Sequence, residues 1–251
     1  MYRELGDGHW LSDKIEDKEI FPVGGYIAGS ITEYMKVDAD TFQIFFEKVA
    51  KNQQILLENN HFKEWYSKTK TDFDYSLFCH MYAFNAVMKT VFPNATKNAA
   101  KRAGFYEGKG KRNLSEGVAG GYAACNEYSV LAQLYFQSQN IPTRYVGGEL
   151  VSNGDFEDFM PHSFIVFQKD GKDYVYDPVN PQERQLPRIA EFVGKKDNYF
   201  LATRNLFNGD KWYYAGGEKG EFLKYYPQKS LTEILATVAK KSLPKKDRQN
   251  G

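Results

Sequence analysis

Apolar residues recur at helical spacing over two long stretches in the first half of the chain. Residues 40–68 carry them three or four positions apart, which predicts one helix with Asp40 as its N-cap. Residues 74–91 predict a second helix. It should end before Pro93, because a proline disfavours helical backbone at the residue that precedes it. Residues 1–37 mix polar residues with glycines, so we expect an irregular arm there with little regular structure.

The residue pattern in the second half of the chain predicts one helix followed by strands. The helix covers residues 123–139, and Pro142 follows its end. Runs rich in β-branched and aromatic residues predict strands over 143–151, 162–168 and 173–177. The last two strands are separated by Asp170-Gly171, a residue pair that strongly favours a two-residue hairpin turn.

The pattern after residue 180 is shorter and more aromatic. It predicts a short helix near 188–193, strands near 199–207 and 212–214, and a final helix over 230–242. The aromatic segment that includes Trp212, Tyr213 and Tyr214 could line a groove for a peptide or glycan, although such segments more often belong to a core.

Helices followed by mainly antiparallel strands indicate an α+β fold. We divide the chain into a mostly helical N-terminal region packed on the core (1–110), the core itself (111–230), and a C-terminal helix with a basic tail (231–251).

Composition excludes several classes of protein. The chain has 251 residues, of which 42% are hydrophobic and 26% charged, a balance that rules out disordered, collagenous and coiled-coil chains. Its net charge of +1 provides no general attraction for nucleic acid or anionic membranes. The basic stretch 97–112 is interpreted as a solvated loop, with a site for an acidic partner or a phosphate as the less favoured alternative. No segment reaches 18 consecutive apolar residues, so we expect no membrane insertion. The N-terminus is acidic where a signal peptide needs a basic stretch and an apolar run, so we expect no signal peptide and a cytoplasmic location by default.

Two cysteines, Cys79 and Cys125, limit the possible thiol chemistry. We expect both thiols to be free, and no zinc-type spacing of Cys and His occurs, so neither a metal nor another cofactor is predicted. Cys125 lies near the start of its predicted helix, where unpaired backbone amides favour a thiolate. The alternative for Cys125 is a small buried core residue.

The predicted hairpin brings two further residues together. A two-residue turn at Asp170-Gly171 places His162 and Asp177 on the same face as diagonal neighbours, so that the carboxylate can reach the imidazole. A turn longer or shorter by one residue would separate them. Taken alone, His162 could be a core histidine and Asp177 a turn residue. Together with Cys125 they make a nucleophile, a base and an orienting carboxylate.

Four segments carry a family resemblance: residues 121–125 (GYAAC), 140–148 (NIPTRYVGG), 161–166 (PHSFIV) and 174–178 (YVYDP). In these the chain resembles the transglutaminase-like superfamily, over roughly residues 115–182. The resemblance implies a papain-like core in which a helix carries the nucleophile and an antiparallel sheet carries the other two residues. Cys125 would then be the nucleophile, His162 the general base and acid, and Asp177 the group that orients the imidazole.

The chain departs from the family's pattern at three positions. Asn126 replaces the aromatic residue that often follows the cysteine, Phe164 replaces a Trp, and Val179 replaces a Thr. None of these changes removes a catalytic atom, but they leave open which acyl donor the site accepts.

The resemblance implies a cysteine enzyme with a protein or peptide substrate. It would form a thioester on Cys125 from a carboxamide or peptide bond and pass the acyl group to an amine or to water. One alternative is an enzyme similar to the arylamine N-acetyltransferases, which share the Cys-His-Asp order but use a CoA thioester. The long helical region before Cys125 and the Asp177-Pro178 pair stand against it. The other alternative is a catalytically silent binding scaffold.

Overall fold

A computed structural model describes most of the chain. The described residues are 2–6, 9–12, 14–18, 20–22, 34–92, 102, 105, 111–152, 160–179, 186–196 and 200–215. The predicted final helix over 230–242 and the basic tail lie outside them.

Five α-helices and one 3₁₀ helix are described. They are the 3₁₀ helix Ala39–Phe42, α1 (Gln43–Glu58), α2 (Asn60–Ser67), α3 (Tyr75–Val91), α4 (Leu114–Ala119) and α5 (Cys125–Ser138). The prediction for α3 is confirmed: the Asp74 side chain accepts a hydrogen bond of 2.7 Å from the Leu77 amide and caps the helix.

The prediction of one continuous helix over residues 40–68 is wrong. Asn59 has extended backbone (φ −82°, ψ 103°) and separates α1 from α2, and its side chain accepts from the Phe62 amide at 2.9 Å. This bond satisfies one of the amides that a new helix start leaves unpaired. Asp40 lies inside the 3₁₀ helix, and Asp38 occupies the cap position predicted for it.

Eleven strands are described, and they form two sheets. Their bounds are β1 (Tyr2–Gly6), β2 (His9–Ser12), β3 (Ile20–Pro22), β4 (Tyr34–Lys36), β5 (Lys111–Asn113), β6 (Arg144–Ser152), β7 (Met160–Lys169), β8 (Lys172–Asp177), β9 (Arg188–Lys196), β10 (Phe200–Asn205) and β11 (Lys211–Ala215).

The larger sheet is antiparallel and closes on itself. Its order is β1-β2-β6-β11-β10-β9-β8-β7, and β6 also pairs with β7. Strands β6 to β11 therefore form a closed ring, while β2 and β1 extend outward from β6. The smaller sheet, β3-β4-β5, contains a parallel β4–β5 pair. The mixture of helices with an antiparallel, curled sheet is compatible with the predicted α+β class.

These strands correct two sequence predictions, one for residues 188–193 and one for residues 1–37. Residues 188–196 form the strand β9 and not a short helix, because they pair with both β8 and β10. The expected irregular arm contains β1 to β4, since β2 pairs with β6 from Trp10 opposite Gly147 to Ser12 opposite Tyr145. Long-range pairing decides both outcomes, and local patterns do not record it.

Both faces of β7 and β8 are buried over residues 162–167 and 174–177. One face joins α1, α3 and α5 in a common apolar core through residues such as Tyr145, Ile165 and Tyr176. Alternate residues on the same strands, such as Phe164 and Val175, are also buried and point to the other face. None of the described helices is long and apolar enough to cross a membrane.

Candidate active site

The hairpin between β7 and β8 has the predicted turn and register. Asp170 (φ 51°) and Gly171 (φ 76°) both adopt left-handed backbone, as a two-residue type I′ turn requires. Ile165 pairs with Tyr176 and Lys169 with Lys172, the register that places His162 and Asp177 on one face.

His162 and Asp177 form a buried hydrogen-bonded pair. His162 Nε2 lies 2.8 Å from Asp177 Oδ2, and the two residues are 8% and 0% exposed. Asp177 also accepts from the Val179 amide at 3.1 Å and from the Tyr214 hydroxyl at 3.3 Å. Three donors converge on one carboxylate, which fixes its orientation toward the imidazole.

Cys125 is the first residue of α5, and its thiol contacts the imidazole of His162. The two side chains are hydrogen-bonded. Because Asp177 occupies Nε2, Nδ1 is the ring nitrogen left for the sulfur. Cys125 is partly exposed, and the Ser163 backbone is among the groups that lower the pKa of its thiol. The three residues predicted from the sequence are thus brought together.

The environment favours an ion pair between thiol and imidazole. Burial alone would raise the pKa of Cys125, but the hydrogen bond and positive charge of His162 lower it below its usual value, with help from Arg102. Burial lowers the pKa of His162, whereas the charge and hydrogen bond of Asp177 raise it well above its usual range. Opposite shifts in the two groups favour thiolate and imidazolium over the neutral pair.

A buried ion pair supports the start of α5. Arg102 donates two hydrogen bonds to Glu127, from Nε at 3.0 Å and from Nη2 at 2.7 Å, and Glu127 is fully buried. The Glu127 carboxylate also accepts from the Ala124 amide at 2.8 Å, directly before Cys125. Burial would raise the pKa of Glu127, but Arg102 and the backbone donors lower it. The interpretation of residues 97–112 as a solvated loop is therefore wrong at Arg102.

Tyrosine and phenylalanine rings enclose the imidazole on its inner side. The His162 ring lies 6.5 Å from Phe164 and 6.4 Å from Tyr214, centroid to centroid, and Phe164 and Tyr214 meet at 4.9 Å. Tyr214 is fully buried, so it belongs to the core and not to an open groove.

The remaining thiol and histidines lie in different surroundings. Cys79 is fully buried in α3, and burial raises its pKa to about 11. His80 Nδ1 is hydrogen-bonded to the Tyr135 hydroxyl at 2.7 Å. Burial lowers the pKa of His80 to about 4. Within the part of the chain that the structure describes, no cluster of three or more His, Cys, Asp or Glu is arranged to hold a metal ion.

Several supporting residues were not predicted from the sequence. Ser163 and Asn126 follow His162 and Cys125 directly, so adjacency to the two reactive residues is the signal that points to them. Glu127 stands at the third helical position, where an acidic side chain commonly caps a helix start. Nothing local connects Arg102 to Glu127, because 25 positions separate them.

No protein-family model matches this chain, and neither curated proteins nor solved structures yield a match. The family resemblance therefore depends on the motifs and on the geometry described above.

Proposed function

We propose that this chain is a transglutaminase-like cysteine acyltransferase with a papain-like core. The observation that carries the proposal is the connected series Cys125, His162 and Asp177, with Cys125 at a helix start and the other two residues on a β-hairpin. Its substrate is a protein or peptide that presents a carboxamide or a peptide bond.

In the first half-reaction the Cys125 thiolate attacks the carbonyl carbon. A carbon–sulfur bond forms, and the negative charge moves to the carbonyl oxygen, where the amides at the start of α5 stabilise it. The imidazolium of His162 gives its proton to the leaving nitrogen as the carbon–nitrogen bond breaks. Ammonia or a peptide amine departs, and a thioester remains on Cys125.

In the second half-reaction His162 is neutral and acts as a base. It takes a proton from an incoming amine or water as that nucleophile attacks the thioester. The carbon–sulfur bond breaks and regenerates thiolate and imidazolium. Asp177 keeps its charge throughout and holds the ring so that Nδ1 faces the sulfur. The product is an isopeptide bond, a deamidated side chain or a cleaved peptide.

Mass spectrometry of a protein mixture incubated with the chain and a small primary amine tests this proposal. We expect amine-modified glutamines, deamidated glutamines or new peptide termini. The modification must disappear with Cys125→Ser and with His162→Ala, because each variant removes one partner of the ion pair.

Cys79→Ser provides the matched control, because it removes the other thiol from a buried helix position. It should leave the modification intact. A wild-type chain that modifies nothing, although Cys125 alkylates as a thiolate, would contradict the acyltransferase proposal and favour a binding scaffold. Turnover of acetyl-CoA with an arylamine would contradict it in favour of an N-acetyltransferase.

A further inference from the structure

Three polar side chains form a compact cluster beside Cys125. Asn126, the next residue in α5, accepts a hydrogen bond at Oδ1 from the Ser163 hydroxyl. The Tyr145 hydroxyl lies 3.1 Å from the same oxygen and 2.9 Å from Ser163 Oγ. The cluster thereby joins the first turn of α5 to strands β6 and β7.

The cluster is buried at its hydroxyl end. Tyr145 is 1% exposed and Ser163 2% exposed. With the Asn126 amide oxygen turned inward, both hydroxyl hydrogens find an acceptor within the cluster. Removing that oxygen would leave buried hydroxyl groups with weaker bonding, which costs more than a surface hydrogen bond does.

Ser163 connects the neighbours of the two reactive residues. It directly follows His162 in β7, and its hydroxyl bonds to Asn126, which directly follows Cys125 in α5. A shift of α5 relative to β7 would break this bond and move Cys125 relative to His162.

We propose that Asn126 is a positioning residue which, through the Ser163 hydroxyl, keeps the Cys125 thiol beside the His162 imidazole. A positive charge close to a thiol favours the thiolate, so a displaced thiol loses its proton only at higher pH. The inference rests on the proposed function, because it concerns how the nucleophile of that reaction is kept ionised.

The variants described below retain the other charged and titratable residues around Cys125. His162 and Arg102 act directly on the thiol, and Asp177 and Glu127 hold those two in turn. A changed titration in a variant of the cluster therefore reports a displaced thiol and not a lost charge.

The test is the pH dependence of Cys125 alkylation by iodoacetamide in the full chain. Asn126→Ala and Ser163→Ala should each move the acid limb of the profile toward higher pH. A shift of about one pKa unit lowers the rate about tenfold below the midpoint. Ser163→Thr keeps a hydroxyl and should restore most of the rate. The double variant should lose no more than the larger single loss, since both remove one connection.

Asn85→Ala is the matched control. Asn85 also accepts a buried tyrosine hydroxyl, from Tyr176 at 2.7 Å, but it lies in α3 away from Cys125. It should leave the Cys125 profile unchanged. Continued protection of the buried Cys79 thiol in the same samples shows that each variant is folded.

An unchanged profile in folded Asn126→Ala and Ser163→Ala would overturn the positioning role. Additive losses in the double variant would also overturn it, because independent effects add. Failure of the proposed function has a different signature: the wild-type thiolate would titrate at low pH, while no acyl group was transferred.

Discussion

The two cysteines should differ in reactivity by a large factor under native conditions. Cys79 is fully buried with its pKa raised to about 11, whereas Cys125 is partly exposed with its pKa lowered. At pH 7 a thiol with a pKa of 11 is ionised in about one molecule in ten thousand. A thiolate of low pKa is intrinsically less nucleophilic, which offsets part of the advantage that a larger ionised fraction gives Cys125.

Because the pKa of Cys125 is lowered, its ionised fraction at pH 7 is larger than that of Cys79, and the burial of Cys79 slows the reaction of that thiol further. Cys125 should therefore be labelled much faster than Cys79. Iodoacetamide labelling followed by peptide mass spectrometry measures both rates in one sample. Labelling of Cys125 should also persist at mildly acidic pH, where an ordinary thiol with a pKa of about 8.5 is almost fully protonated.

His162→Ala supplies the decisive variant for this experiment. The thiolate at Cys125 is favoured by His162 and opposed by burial, so removing the imidazole raises the pKa of Cys125 and confines labelling to alkaline pH. Cys79 should stay protected, which reports an intact core. Equal labelling of the two cysteines, or a Cys125 profile identical with and without His162, would refute the ion pair.

Two further predictions concern the groups behind the thiol. Asp177→Asn should lower turnover by a factor on the order of ten thousand, as the corresponding change does in serine proteases. Circular dichroism should show that the fold is retained. A near-normal rate would mean that Asp177 is only a turn residue. Arg102→Ala removes the cationic partner of the buried Glu127 carboxylate, and should cost about 3–5 kcal/mol in the free energy of unfolding by urea. Lys68→Ala removes an exposed pair with Glu64 and should cost under about 1 kcal/mol, and equal losses would contradict the argument. Because the pKa of Glu127 is lowered in the folded chain, its contribution to stability is fully present above the ordinary value of 4.5 and is lost as pH falls through the lower folded pKa.

The parts of the site that the sequence predicts depend on short-range rules. Asp170-Gly171 determines the turn, the turn determines the register, and the register places His162 beside Asp177. The position of Cys125 follows from the helix start, which was predicted within two residues. Each step uses neighbours in the chain, and a single sequence contains them all.

The errors arise where distant pairing or a local cap overrides the periodic pattern. Residues 188–193 have apolar positions that suit a short helix, yet pairing on both sides makes them a strand. Residues 40–68 keep helical spacing across Asn59, although that residue ends one helix and caps the next. Arg102 carries no local sign that its partner is the buried Glu127.

Closure of the ring supplies what the hairpin alone cannot. Tyr214 belongs to β11, which pairs with β6 and β10, and in the closed ring its hydroxyl reaches Asp177 at the end of β8. Arg188 is the residue of β9 that lies opposite Asp177 in the β8–β9 register. Its guanidinium carbon lies 3.5 Å from the centre of the Trp212 side-chain ring. A hairpin in isolation is marginally stable and leaves its ends free to splay. The ring fixes the end of β8, so the carboxylate has one position relative to the imidazole, and the site's precision is a property of the closed sheet.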